Sequence, residues 1–115
     1  MEDINDPNLI IAENIEQLYD TINENPVIKY LTKYEKTKVI QQRANEIMNN
    51  SPLYISVHNI DKLTAIDIAE IELYSYKIPY IIARQLPYDK IEYVKLNTLI
   101  LLDPINHKLL SHIIS

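Results

Sequence analysis

The chain has 115 residues, 47% of them hydrophobic and 23% charged, with a formal net charge of −5. Those values fit one globular domain with a modest core, and they argue against disorder throughout and against nucleic-acid binding through a broad basic face. Cysteine and glycine are both absent, which excludes disulfide scaffolds, thiol nucleophiles and cysteine-ligated zinc, together with the phosphate loops, dinucleotide fingerprints and nucleophile elbows that need glycine.

No apolar run approaches the roughly 18 residues of a membrane span. The opening "MEDINDPN" is acidic and polar, and reads as neither a secretory signal nor a basic transit peptide. Asn and Asp are expected to fill left-handed backbone positions, with Asn25 and Asn49-Asn50 as candidates. Richness in Ile, Asn, Lys and Tyr fits an AT-rich coding genome.

After a polar lead, Ile11, Ile15, Leu18 and Ile22 recur at helical spacing and predict an amphipathic helix over about residues 10–24, ending before Asn25-Pro26. It either packs on its own domain or lies in a partner's groove. A second helix begins after Thr32, which with Glu35 forms a capping box. Val39, Ile40, Ala44, Ile47 and Met48 form its apolar stripe, its lysines and Glu35 read as a solvated face, and Ser51-Pro52 stops it. "LYISV" (53–57) is a strand or an ordered crossing.

A third helix starts at "TAID", with Thr64 as cap and Asp67 completing a second box. Ala65, Ile66, Ala69 and Leu73 make its face, Lys77 sits in the last turn, and Pro79 ends it. "YIIAR" follows and is dominated by β-formers. It is predicted to pair antiparallel with Ile91–Lys95 through a turn at Pro87–Lys90, leaving an edge that invites a partner's strand. The tail runs apolar to Leu102, breaks at Asp103-Pro104 and ends in a short helix. No internal repeat is present.

Chemical candidates are few. His107 and His112 are five apart and do not align on a helix, and His58 is distant, so ordinary histidines are favoured over a metal site. No serine-hydrolase signature accompanies them. Glu70 and Glu72 diverge on a helix, which favours one solvated and one ion-paired carboxylate over an acid/base dyad. The tyrosines lack a basic cluster for single-stranded nucleic acid and suit core or interface. Pattern alone ends at a small α+β protein with a surface suited to binding.

Two motifs go further. "TKYEKTKVIQQRA" (32–44) and "DIAEIELYSYKIPYIIARQLP" (67–87) resemble the signatures of the small RNA polymerase subunit shared by the three nuclear enzymes, a family that includes archaeal subunit K and is related to bacterial omega. The resemblance covers about residues 32–100. It implies an α+β fold, a small omega-like helical domain with a short C-terminal antiparallel hairpin. It also divides the chain into a lead with an amphipathic helix (1–31), a polymerase-subunit core (32–102) and an extension (103–115).

The resemblance further implies a non-catalytic subunit that binds the largest polymerase subunit and supports assembly and stability in transcription. It implies no cofactor or metal, no small-molecule substrate, no membrane, and DNA only indirectly. The implied partner-binding positions are Thr32, Tyr34, Glu35, Arg43, Ala44, Glu72, Leu73, Lys77, Ile78, Pro79, Arg84 and Pro87. Ile68, Ala69 and Leu86 also match. Arg43 and Glu72 are expected to anchor a partner, the alternative being an internal pair joining two helices.

The chain departs from the pattern at Gln41, usually a small residue, at Ala65, usually proline, and in "PYDK", which lacks a turn glycine. The divergence fits a polymerase of a large DNA virus, with archaeal and protist origins open. The implied location is intracellular: the nucleus for a cellular eukaryote, the virion or a cytoplasmic factory for a virus. A free regulatory adaptor binding a helical partner is the competing reading, and a small metal-dependent hydrolase a third.

Overall fold

The computed structural model describes residues 22–113. Two helices, α1 (Lys33–Met48) and α2 (Ala65–Tyr74), precede an antiparallel hairpin of β1 (Ile81–Leu86) and β2 (Lys90–Lys95), so the expected α+β class holds. Single-turn helices at Ile60–Lys62 and Leu96–Thr98 and a longer 3₁₀ segment at His107–His112 complete the order. Most of the helix predicted over about residues 10–24 lies outside the described residues. Its last positions are not helical, because Ile22 bridges in parallel to Tyr93 and the Asn23 amide donates to the Tyr93 carbonyl at 2.7 Å.

Both capping boxes form. The Thr32 hydroxyl accepts from the Glu35 amide while Glu35 accepts from the Thr32 amide, and Thr64 and Asp67 repeat the exchange. Each helix then closes with the same pair of backbone bonds. Asn50 donates to Ile47 and Ser51 to Glu46, and correspondingly Tyr76 donates to Leu73 and Lys77 to Glu72. This closure requires a left-handed residue just past the cap, normally glycine. Asn50 (φ 69°) and Tyr76 (φ 58°) supply it. Asn59, Tyr88 and Asp89 are also left-handed, whereas Asn25 is not, so two tyrosines join Asn and Asp in that role.

The third helix is shorter than its pattern predicts. It stops at Tyr74, which leaves Lys77 beyond the last turn, and its buried side is Ile68, Ala69, Ile71, Glu72 and Leu73, while Ile66 is exposed. "LYISV" is an ordered crossing tied at Val57 by an antiparallel bridge to Ile113. The core joins Val39 of α1, Leu73 of α2, Ile82 of β1 and Val94 of β2 with Leu31, Ile78, Tyr80, Leu96 and Leu99. Burying each large aliphatic side chain contributes about 1.5–3 kcal/mol.

In the hairpin, Ile82 opposes Val94 and Arg84 opposes Glu92. Because Leu96 donates to the Tyr80 carbonyl, the alternation of the ladder turns the amides of Ile82 and Arg84 toward β2 and those of Ile81 and Ala83 away from it. Ile81 and Ala83 are nevertheless buried. The accessible edge therefore belongs to β2, and Asn23 already occupies the Tyr93 carbonyl there. Of the hairpin's two edges, the one on β1 is buried and the one on β2 is partly taken up by Asn23.

Candidate interaction site

Four charged residues from the two motifs meet as two buried ion pairs. Arg43 on α1 clasps Glu72 on α2 with two bonds, Nε to Oε1 and Nη2 to Oε2, the latter at 3.0 Å. Its Nη1 donates to Glu46 at 3.1 Å and its Nη2 to the Pro52 carbonyl at 2.7 Å. The Tyr54 ring lies 4.2 Å from the guanidinium carbon, and the Tyr54 amide donates to Glu72 Oε2 at 2.9 Å. The side chains of Arg43 and Glu72 are 1% and 0% exposed. Burial works against the Arg43 charge, but hydrogen bonding and attraction from Glu72, aided by Glu46, raise its pKa above the usual arginine value.

The second pair joins the hairpin to α1. Arg84 Nε donates to Glu35 Oε2 at 2.9 Å and Nη2 to Oε1 at 3.0 Å. The remaining reach of Arg84 goes to backbone, Nη1 to the Ile28 carbonyl and Nη2 to the Tyr30 carbonyl. Glu35 is thus part of a buried pair and not of a solvated face, although it also holds the Thr32 cap. A planar guanidinium suits both pairs because its fork matches a carboxylate with two parallel bonds.

The structure sorts the implied partner-binding residues into two groups. Glu35, Arg43, Ala44, Glu72, Leu73, Ile78 and Arg84 are buried, and Tyr34, Lys77, Pro79 and Pro87 are exposed. Thr32 is half-buried and engaged as a cap. Of the two readings of Arg43 and Glu72, the geometry is that of the internal pair: all three guanidinium nitrogens are engaged within the chain. Sequence reasoning missed Tyr54 and the carbonyls of Ile28, Tyr30 and Pro52, which no local pattern marks.

Among the described residues no cluster of three or more His, Asp or Glu is placed to hold a metal ion. His112 Nδ1 lies 2.7 Å from the His58 carbonyl. Glu70 accepts from the Asn106 amide at 3.1 Å, so the two helix carboxylates serve separate structural partners. Gln41 faces solvent and Ala65 opens α2 directly after its cap. Neither departure therefore disturbs the buried pairs.

The described residues thus form a small scaffold in which four motif charges pair with one another in the interior, while several large apolar side chains remain exposed. The comparisons give that scaffold a particular likeness. The chain is 39% identical over 61 residues to the DNA-directed RNA polymerase subunit Rpo6 of Saccharolobus islandicus, and 38% identical over 61 residues to that of Saccharolobus solfataricus. It is 36% identical over 59 residues to subunit 6B of DNA-directed RNA polymerases II and V of Arabidopsis thaliana. The matches cover 53% and 51% of this chain, and 64% of the archaeal and 40% of the plant proteins. No family model matches. The likeness to the small common polymerase subunit, read from the two motifs, holds over about half the chain.

Proposed function

We propose that this protein is a non-catalytic subunit of a multisubunit DNA-directed RNA polymerase, docking on the largest subunit and supporting assembly and stability. The observation that carries this reading is the similarity to archaeal and plant proteins that bear the name of that subunit. Within the reading, the buried motif residues hold the scaffold, and of the twelve positions the resemblance marks for partner binding, Tyr34, Lys77, Pro79 and Pro87 are exposed and able to face a partner's surface. Residues 32–102 form the subunit core, with 1–31 and 103–115 as additions. The setting is intracellular, and composition together with divergence favours the polymerase of a large DNA virus.

Affinity capture of the full chain from its native source tests the reading. Recovery of the two large polymerase subunits in stoichiometric amount is the expected result. Their reproducible absence, with some other helical protein recovered instead, establishes the adaptor reading in its place.

A further inference from the structure

The segment before α1 and the run after the hairpin lie side by side. Tyr30 and Ile100 form a parallel bridge, with the Leu31 amide donating to the Ile100 carbonyl and the Ile100 amide to the Lys29 carbonyl. Paired residues in such a bridge project to the same face, and their neighbours to the other. Inward, Leu31 and Leu99 are core residues and Leu101 packs against them. Outward, Tyr30, Ile100 and Leu102 are exposed, Ile100 at 57% and Leu102 at 64%, and Ile28 beside them is exposed as well. A half-buried strand alternates apolar with polar, whereas one that is apolar on both faces reads as covered on both. "LILL" (99–102) is apolar on both.

This stripe is held in place from beneath. Arg84, buried and locked on Glu35, bonds the carbonyls of Ile28 and Tyr30. Next to the stripe lies a hollow of about 190 Å³ in which Leu31, Leu101 and Leu102 meet Lys33, Lys36, Tyr74 and Asp103. Lys36 Nζ donates to the Tyr74 hydroxyl at 2.7 Å, which in turn donates to the Asp103 carbonyl, and Lys33 is exposed. Two lysines against one aspartate leave the rim net positive over an apolar floor, and Lys33 is the more exposed of the two, which favours an apolar side chain with a carboxylate beside it.

We infer that the Ile28–Tyr30–Ile100–Leu102 stripe and the adjoining lysine-rimmed hollow are a docking surface for an extended segment of a neighbouring polymerase polypeptide carrying an apolar anchor next to Asp or Glu. Arg84 is its positioning residue. The inference rests on the subunit reading and specifies which face of the chain meets the complex. Charge complementarity selects the occupant: Lys33 and Lys36 flank the apolar floor and favour a carboxylate-bearing chain.

The test compares full-length wild type with Ile100→Glu, Leu102→Glu and Lys33→Glu in capture of polymerase from the native source, with Ile66→Glu on exposed α2 as the control surface. Thermal unfolding of each free variant is recorded alongside. Ile100→Glu and Leu102→Glu should each lower recovery of polymerase at least tenfold, and Lys33→Glu several-fold. Recovery with Ile66→Glu and the melting temperatures of all four variants should match wild type.

Undiminished recovery with the variants, while wild type captures polymerase, overturns the docking surface and leaves the subunit reading standing. Failure of wild type itself to capture polymerase overturns both. A lower melting temperature for free Ile100→Glu with unchanged capture shows that the stripe is packed within this chain, and also overturns the proposal.

Discussion

The phenolic oxygen of Tyr80 is buried without a hydrogen-bond partner among the described residues. Burial raises its pKa well above the tyrosine norm, reinforced by the charge of the Glu46 carboxylate and by a hydrogen-bonding interaction with it too loose to satisfy the hydroxyl. An unsatisfied buried hydroxyl costs about 1–3 kcal/mol, so Tyr80→Phe should stabilise the protein by about 1 kcal/mol at pH 7, read by urea unfolding. The raised pKa adds a pH signature. The folded state holds this proton more tightly than the unfolded chain, so its contribution is constant below the unfolded pKa of about 10 and falls as pH rises above it. The advantage of Tyr80→Phe should therefore widen above pH 10, and a constant difference would show that the hydroxyl is solvated. Tyr76 offers a second residue-scale test. It occupies a left-handed position that costs a side-chain-bearing residue about 1 kcal/mol, and Tyr76→Gly should raise the melting temperature by a few degrees. A drop would mean that the Tyr76 ring makes contacts worth more than the strain.

At the scale of elements, local signals were legible and distant ones were not. Both capping boxes are written within four residues, and both form where the sequence places them. Arg43 and Glu72 are 29 residues apart and Arg84 and Glu35 are 49 apart, so only folding shows that they meet. Glu35 misleads because its helix neighbours are lysines, yet its carboxylate faces β1 and serves cap and ion pair together. That sharing separates two otherwise similar substitutions. Thr64→Ala, at an exposed box, should cost about 1 kcal/mol, and Thr32→Ala, which loosens a carboxylate committed to Arg84, about 2 kcal/mol. Equal losses in urea unfolding would uncouple cap from pair. The hairpin itself was readable from β-formers on either side of a turn. Its left-handed Tyr88 and Asp89 were not, since "PYDK" carries no glycine to announce them.

For the whole molecule, the two ion pairs fasten α1 to α2 and α1 to the hairpin, so removing one partner strands a charge in the interior. Breaking a buried pair costs about 3–5 kcal/mol, a large part of the roughly 5–15 kcal/mol by which domains are stable. Arg43→Ala should therefore lose helical signal at moderate temperature in the free protein, and any loss of assembly should follow from unfolding. Arg43→Met combined with Glu72→Leu should recover much of the stability, since an apolar pair of similar size leaves no charge unpaired. An Arg43→Ala protein that stays folded yet fails to assemble would return Arg43 to the role of direct anchor.

The central claim, membership in a polymerase, is tested most directly without using this chain as bait. The RNA polymerase of the native source is purified by its RNA-synthesis activity, and this chain is quantified against the largest subunit by mass spectrometry across the activity peak. One copy per largest subunit throughout the peak is the predicted result. An active polymerase peak that contains none of this chain would contradict it.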